Sequence, residues 1–299
     1  MVVRTQPARE PASPVEILAP ARQSAPAVLA SPHSGSNYPP EFVAGAQLKF
    51  PALRRSEDCY VDELFGAAPQ RGLPLVRALF PRVFIDPNRE PFELDPDMFE
   101  DALPNHVNTG SARVAAGFGT IARIVANGEP IYGRRLTFAE ARQRIDSYYR
   151  PYHDALRRTI TETKVKFGHC LLIDCHSMPS IGGPTESDAG NSRVDIVLGD
   201  CHGTSCAPAV TARLEAAFRS MGYRVARNAP YSGGFTTQHY GKTEAGLHAL
   251  QIEINRALYL VETTMERSPG FAAIARDMEQ AITAVIDVAR DIGPAAGSS

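Results

Sequence analysis

The sequence has no long hydrophobic run, no strong excess of either charge and no paired-cysteine motif. No apolar run approaches the roughly 20 residues that a helix needs to cross a bilayer, which argues against a membrane-spanning segment. The formal net charge of −2 on 299 residues gives no reason to expect nucleic acid or an anionic membrane as a partner. Neither a nucleic acid nor a membrane is therefore expected as a partner.

Disulfide chemistry and secretion are not expected either. The five cysteines (Cys59, Cys170, Cys175, Cys201 and Cys206) are an odd set without a CxxC pair, in a chain too long to need a disulfide framework. The N-terminal segment is rich in proline and has no compact hydrophobic stretch, so it does not resemble a signal peptide. We expect a cytoplasmic protein with reduced thiols.

The chain shows no internal division. It contains neither GxGxxG nor GxxxxGK[ST], so neither of these phosphate-binding loops is present. No linker, charge block or repeat interrupts residues 26–292, which we expect to form one domain. Residues 1–25 are expected to be a loosely ordered arm, and residues 293–299 a flexible tail.

Short apolar runs alternate with longer helical patterns. Strands are predicted at 27–30, 75–78, 83–85, 170–173, 195–198, 224–227 and 249–254. Helices are predicted at 60–67, 137–167, 207–221 and 269–292. Thr137 and Glu140 have capping-box spacing, and Pro151 predicts a kink or break near Arg150. The alternation predicts an α/β domain with a mixed, mostly parallel sheet flanked by helices.

Polar side chains accompany four of the predicted strands. In chain order they are His33, then Asp86 with Asn88 and Arg89, then Asp174 with His176, and finally Glu253 followed by Arg256. In open α/β sheets the ligand crevice lies outside the carboxyl ends of the strands. Four strands that deliver these residues to one edge would form a single polar pocket.

Two of these residues are candidate metal ligands. His33 and His176 together with a carboxylate and an open position for water are the usual set for catalytic zinc. The carboxylate could come from Glu57, Asp58 or Asp62 in "RRSEDCYVDELF", and Asp58 is preferred. Asp174 would orient His176, whereas Cys175 would point to the other side of the strand, into packing.

Glu253 is the candidate general base and acid. It lies in "LQIEI", where a carboxylate is costly to bury without a partner. It could take a proton from a zinc-activated water and later protonate a leaving amine. The alternative is a structural ion pair with Arg256 or another arginine.

Three further residues are candidate substrate contacts. Asn88 and Arg89 offer an amide and a planar guanidinium that suit a carboxylate, although a loop salt bridge with Glu90 is the alternative. His239 lies in "PYSGGFTTQHYG", a glycine-rich segment expected to close over the site. It could bind substrate or a developing oxyanion, or be an ordinary turn residue. The histidines expected to have only structural roles are His106, His153, His169, His202 and His248.

Eight segments form an ordered set: "SPHSGSNYP", "SEDCYVDELF", "DPNRE", "RRLTFAEARQRIDSYYRPYHDAL", "DCHSMPS", "GDCHGTSC", "PYSGGFTTQHYG" and "LQIEINRALYL". Together they resemble the N-formylglutamate amidohydrolase family. Each segment alone is weakly specific, but the ordered set extends over residues 27–265 and covers most of the chain. The family is similar in fold to zinc carboxypeptidases and aspartoacylase, so the resemblance implies a zinc-carboxypeptidase-like α/β domain.

The resemblance also implies roles for individual residues. One zinc ion per chain would be held by His33, Asp58 and His176. A substrate carboxylate would be bound by Asn88 and Arg89, and Glu253 would act as acid and base. The sequence departs from the carboxypeptidase-type pattern at Ser36, where a glutamate ligand would stand, so the acidic ligand must come from elsewhere.

The implied reaction is hydrolysis of N-formyl-L-glutamate to formate and glutamate, a late step of one histidine-degradation route. Arg89 would share the developing oxyanion or hold a carboxylate, and the second carboxylate would be bound by Arg256, Arg193 or Arg134. One alternative is hydrolysis of another N-formyl or N-acyl amino acid, or of a C-terminal peptide bond. The other is a non-catalytic binding protein on the same scaffold, although binding alone would not require a general base.

Overall fold

The centre of the protein is a mixed seven-stranded sheet. The computed structural model describes residues 13–125, 127–184 and 186–292. Seven described strands form this sheet: β1 (Val15–Leu18), β2 (Ala27–Ser31), β3 (Leu75–Ala78), β4 (Cys170–Met178), β5 (Ile196–Gly199), β6 (Val225–Arg227) and β7 (Leu247–Asn255). Two further strands, β8 (Leu260–Val261) and β9 (Glu266–Arg267), form a separate antiparallel ribbon.

The order of the strands in the sheet is β1-β3-β2-β4-β7-β5-β6. The four central strands β3, β2, β4 and β7 are parallel to one another. At one edge β1 is antiparallel to β3, and at the other β5 is antiparallel to β7 and parallel to β6. The predicted α/β fold with a mixed, mostly parallel sheet is therefore confirmed.

Helices cover both faces of the sheet. The described α-helices are α1 (Pro40–Gly45), α2 (Phe50–Leu53), α3 (Val61–Leu64), α4 (Ala112–Ala115), α5 (Phe138–Arg144), α6 (Arg150–Phe167), α7 (Pro208–Ser220), α8 (Phe235–Tyr240) and α9 (Phe271–Asp291). One face is covered by α6, which packs across β1 to β4, and the other by α3, α7 and α9. None of the helices in the described residues combines the length and hydropathy that crossing a bilayer requires.

One face of the central strands carries both core residues and the candidate site. On β4, Leu171, Ile173 and Cys175 pack under α3, α7 and α9, as expected for Cys175. Leu172 lies on the opposite face, in the core beneath α6. Because side chains alternate along a strand, Asp174 and His176 share that second face. The face beneath α6 is therefore apolar near the start of the strand and polar near its end.

The predicted strand at 83–85 is wrong. Pro81 starts a turn in which the N–H groups of Phe84 and Ile85 donate to its carbonyl at 3.0 and 3.4 Å. The side chains of Val83, Phe84 and Ile85 are nevertheless buried in the core beneath α6. A short apolar run satisfies a buried turn as well as a strand, so its composition could not separate the two.

The expected arm at 1–25 is too long. Val15–Leu18 forms β1, which pairs with Leu75–Ala78 along its whole length. β1 therefore belongs to the domain, as the antiparallel edge of the sheet. Residues 1–12 of the expected arm and the expected tail, residues 293–299, lie outside the described residues.

Two helix predictions also need correction. The predicted helix at 60–67 is confined to Val61–Leu64, because Tyr60 has a φ of 63° and begins no earlier turn. The long helix at 137–167 begins with the expected capping box, in which Thr137 and Glu140 bond reciprocally. Its backbone stays helical across Pro151, but Ile145–Tyr149 is a π-helical stretch. The wider π-helical turn lets the chain stay helical although Pro151 has no backbone N–H to donate.

Candidate active site

Three side chains from separate parts of the sequence meet at the carboxyl edge of the sheet. His33 lies two residues beyond the end of β2, Asp58 precedes α3 and His176 lies on β4. The Nδ1 atoms of His33 and His176 are 3.1 Å apart, and they lie 3.3 and 3.1 Å from Asp58 Oδ2. All three side chains are buried, and their ligand atoms are close enough to share a metal ion.

The far side of each imidazole faces another carboxylate. His33 Nε2 lies 2.7 Å from Asp86 Oδ1, and His176 Nε2 lies 2.8 Å from Asp174 Oδ2. An ionised carboxylate can only accept, so each Nε2 carries a proton and each Nδ1 can hold either a second proton or a metal ion. Two imidazole nitrogens and a carboxylate oxygen therefore converge, an arrangement that a cation stabilises.

The electrostatics of this cluster favour a bound cation. Burial alone would raise the pKa of Asp58, but hydrogen bonds from His176 and His33 hold it well below its usual value. Burial would lower the pKa of His176, but the charge and hydrogen bond of Asp174 and the hydrogen bond to Asp58 raise it well above its usual value. Both shifts reflect an excess of negative charge that attracts a proton or a metal ion.

Arg256 fixes the acidic member of the cluster. Its Nη2 donates to Asp58 Oδ1 at 2.9 Å, its Nη1 to the Arg55 carbonyl at 3.1 Å and its Nε to Ser177 Oγ at 3.2 Å. The guanidinium is buried, each of its three nitrogen atoms donates one hydrogen bond, and the residue also lines the cavity. It therefore orients Asp58, and its role as a substrate contact stays a prediction.

Glu253 lies on β7 directly beside His176 in the parallel register. Its Oε1 accepts a hydrogen bond from Gln251 Nε2 at 2.7 Å. The carboxyl group is buried, and desolvation, with the charge of Asp58, raises its pKa to about 7 against the opposing effect of His176. A pKa near neutrality suits a group that takes up and returns a proton.

The Asp86–Arg89 segment lies opposite β7. Asn88 Oδ1 accepts from the Thr236 N–H at 2.8 Å, and Asn88 Nδ2 donates to Asp174 Oδ2 at 3.4 Å. The Asn88 amide therefore ties this segment to α8 and β4. Arg89 donates to the carbonyls of Phe118 and Asn88 at 2.9 and 2.8 Å, and its Nη2 is 3.8 Å from Asp86 Oδ2.

A cavity of about 460 Å³ opens over these groups. Its lining includes His33, His176, Glu253, Asn88 and Arg89. The glycine-rich segment at 230–234 forms one wall, as expected. The N–H of Gly234 donates to Gln251 Oε1 at 2.8 Å, and any Cβ at position 234 would come within 2.3 Å of the Asn88 amide.

The structure gives no support to the prediction that His239 contacts substrate. On α8 the buried side chains are Thr236, Thr237 and Tyr240, which form one face of the helix. His239 lies on the other face, exposed and stacked on Phe235 at 4.8 Å. It is not among the described residues that line the cavity.

Two other arginines proposed for a second carboxylate are also engaged elsewhere. Arg193 is buried between Glu186 and Asp188, with Nε 2.8 Å from Asp188 Oδ2. Arg134 pairs with Glu140 on the surface, away from the cavity. The five histidines expected to be structural are likewise outside the described lining of the cavity.

The structure adds residues to which the sequence assigned no role. Asp86 orients His33, and a carboxylate was to be expected there because ligand histidines usually donate their second nitrogen to one. Gln251 lies two residues before Glu253, hence on the same face of β7. Arg82 donates to Asp86 Oδ2 at 2.8 Å and Arg113 lines the cavity, and neither stands in a pattern that would have revealed it.

The chain is similar in sequence to two N-formylglutamate deformylases of Pseudomonas species. The chain is 30% identical over 274 residues to an N-formylglutamate deformylase of Pseudomonas aeruginosa, covering 91% of this chain and 93% of that protein. It is 32% identical over 209 residues to an N-formylglutamate deformylase of Pseudomonas putida, covering 69% of this chain and 71% of that protein.

Solved structures agree with this likeness. The N-formylglutamate amidohydrolase from Ralstonia eutropha JMP134 superposes with a TM-score of 0.85 at 38% identity, over 93% of this chain and 99% of that one. A gene product from Agrobacterium tumefaciens shares the fold, with a TM-score of 0.64 at 19% identity over 91% and 96% of the two chains. A sequence model of the N-formylglutamate amidohydrolase family matches residues 25–260. The chain therefore belongs to the N-formylglutamate amidohydrolase family.

Proposed function

We propose that this protein hydrolyses N-formyl-L-glutamate to formate and L-glutamate at a single zinc ion held by His33, Asp58 and His176. The observation that carries the proposal is the position of Glu253. A buried carboxyl group with a pKa of about 7 lies in register with one of three converging metal-ligand side chains. Family membership and the names of the Pseudomonas and Ralstonia relatives support the choice of substrate.

The donor set and its spacing suit zinc. Two imidazole nitrogens and one carboxylate oxygen are its usual ligands in hydrolases, with the fourth position open. Zinc–ligand bonds of about 2.0–2.1 Å in tetrahedral geometry place the ligand atoms about 3.4 Å apart. The three atoms here are separated by 3.1–3.3 Å. When bound, zinc would polarise the formyl carbonyl and acidify water.

Glu253 moves the protons in this mechanism. Gln251 holds Oε1, so Oε2 is the atom proposed to accept a proton from water as its oxygen adds to the formyl carbon. The same carboxyl group then returns the proton to the amide nitrogen as the C–N bond breaks. The products are formate and the free amino group of glutamate.

The remaining residues position these groups. Asp86 and Asp174 hold the two imidazoles, and Arg256 holds Asp58. Arg89 is proposed to bind the α-carboxylate and to share negative charge that develops at the carbonyl oxygen. Asn88 is proposed to support this surface, because its amide oxygen is bonded to the Thr236 N–H. All five cysteines are free, in keeping with the proposal of a cytoplasmic enzyme of histidine degradation with reduced thiols.

The deciding experiment combines metal analysis with formate release by the purified protein. About one zinc per chain is expected, with rapid formate release from N-formyl-L-glutamate and much slower hydrolysis of N-formyl-L-aspartate and N-acetyl-L-glutamate. Chelation should abolish formate release, and added zinc should restore it. Full activity without metal would contradict the zinc site. Preference for another acyl amino acid would contradict the substrate, and binding without turnover would contradict catalysis.

A further inference from the structure

Arg113 differs from the other arginines of the cavity. Four of them have partners: Arg55 with Glu129, Arg82 with Asp86, Arg89 with two carbonyls, and Arg256 with Asp58. Arg113 lines the same cavity and is half-buried. Within 13–125, 127–184 and 186–292, its guanidinium has neither an ion pair nor a hydrogen bond, which leaves all five donors available to a ligand.

The backbone that carries the Arg113 side chain is held in a defined position. Ser111 caps α4 by accepting a hydrogen bond from the Val114 N–H at 3.0 Å, and its hydroxyl donates to Glu93. The Arg113 carbonyl accepts from the Phe118 N–H at 2.8 Å. The backbone on both sides of Arg113 is therefore held, and its side chain is presented to the cavity from a fixed position.

The charges around Arg113 are unbalanced. Arg82, Arg89 and Arg113 all line the cavity. Arg82 and Arg89 share one contacting acid, Asp86, which also bonds His33, and the charge of Glu253 acts on Arg82 as well. Burial, together with the charges of Arg82 and Arg113, lowers the pKa of Arg89 to about 10. The other nearby acid, Glu93, is buried outside the cavity lining and bonded to Ser111. An anion in the cavity would relieve this crowding of positive charge.

The two carboxylates of an N-formylated dicarboxylic amino acid lie at different distances from the reacting bond. The α-carboxylate carbon is separated from the amide nitrogen by one carbon, and the side-chain carboxylate of glutamate by three. Arg89 lies against Asp86, which contacts the metal-site residue His33, whereas Arg113 makes no such contact in the described residues. The α-carboxylate, which is nearer the reacting bond, is therefore assigned to Arg89, and the side-chain carboxylate to Arg113.

We propose that Arg113 is a specificity-determining residue that binds the side-chain carboxylate of the substrate. The inference rests on the proposed amidohydrolase function and deepens it. A planar guanidinium binds a carboxylate through two parallel hydrogen bonds, which a neutral side-chain amide cannot reproduce. The same residue thus selects formylated amino acids with an acidic side chain of suitable length.

The test compares N-formyl-L-glutamate with N-formyl-L-glutamine, which differs in the charge of its side chain and hardly in shape. In R113M, kcat/KM for N-formyl-L-glutamate should fall about 10–100-fold, mainly through KM, the loss expected for hydrogen bonds between charged groups. The value for N-formyl-L-glutamine should stay within about threefold, because that substrate never used the charge. R113Q should show the same selective loss.

Arg55 provides the matched control, since it lines the same cavity but pairs with Glu129 at 3.0 Å. R55M should leave the ratio of the two kcat/KM values unchanged. Equal losses on both substrates in R113M and R113Q, or an unchanged ratio, would overturn the role of Arg113 while wild-type turnover stands. If the wild-type enzyme released no formate from N-formyl-L-glutamate, the proposed function itself would fail, and Arg113 with it.

Discussion

One side of the cavity is the edge of a sheet, whereas the opposite side is built from turns and a four-residue helix. The sheet side carries His176 on β4 and Glu253 on β7, both buried and adjacent in register. The other side runs from Arg82 to Ile124 and contributes several arginines. Its helix α4 spans only Ala112–Ala115.

The two sides meet different physical demands. Proton transfer and metal binding require atoms placed within a few tenths of an ångström, which paired strands provide because both neighbours fix their backbone. Binding a flexible dicarboxylate requires charge and planar donors at the right distance, which loops on a rigid scaffold can supply. The comparison leads to four predictions, given from the largest expected effect to the smallest.

Replacement of Glu253, the proposed base on the sheet side, should have the largest effect. E253Q preserves the shape of the side chain but cannot accept a proton, so kcat should fall about 10²–10⁴-fold, with the zinc content unchanged. Stopped assays of formate release together with metal analysis would measure both quantities. E162Q, on the exposed surface of α6, is the matched control and should behave as wild type. A kcat for E253Q above a tenth of the wild-type value would refute the role of Glu253.

Asp86 tests whether the loop side also contributes to the metal site. D86N removes the charged acceptor that holds His33 Nε2 at 2.7 Å. Zinc affinity should weaken about 10–100-fold, as is usual when the partner of a ligand histidine is lost. Competition with a chromophoric chelator measures this affinity. D97N changes an exposed acid of the same loop region and should leave it intact. Unchanged zinc affinity in D86N would mean that the loop side does not contribute to the metal site.

Gln251 should determine the pH dependence. The proposed base Glu253 must be deprotonated to act, and burial raises its pKa to about 7, so activity should fall as the pH drops through that region. A bound cation would lower this pKa, placing the acidic limb at or below about pH 7.

Q251M removes the hydrogen bond donated to the carboxylate and thus disfavours its charged form. The acidic limb of kcat/KM should move to higher pH by about one unit, the size expected for a hydrogen bond to a charged group. Q251E should shift it in the same direction by like-charge repulsion. A limb that stayed in place in both variants would show that another group determines it.

His239 should have the smallest effect. Its side chain is exposed on the far face of α8, so H239A should change kcat and KM by less than about twofold, as for most surface substitutions. Steady-state kinetics with N-formyl-L-glutamate are sufficient to test this. A loss of tenfold or more would mean that α8 rotates toward the substrate during turnover.

Some strands were predicted accurately from the sequence and others were not, for physical reasons. Strands β2, β4 and β7 were located because buried parallel strands are continuous apolar runs. The length of β4 was underestimated, since Asp174 and His176 are polar yet lie within the strand. Their polarity serves the site, and a functional residue in a strand interrupts the pattern that identifies the strand.

Errors concentrate where long-range packing decides the local structure. The run at 83–85 is buried, but as a turn that begins at Pro81. The segment at 15–18 was predicted to be loosely ordered but is an edge strand, because it pairs with β3, which lies about sixty residues away in the sequence. Neither outcome is encoded in the residues themselves.

The sequence by itself determined the α/β class, the family, and His33, His176 and Glu253 as candidates, because these depend on short apolar runs and on the polar residues that accompany them. Only the tertiary structure decided that Asp58 meets the two histidines. The other two candidate acids bond elsewhere: Glu57 bonds both Tyr38 and Arg54, whereas Asp62 pairs with Arg77. It also brought Arg256 into contact with Asp58 and left the side chain of His239 exposed. The direction of a side chain depends on what packs against its backbone, and those partners lie far away in the sequence.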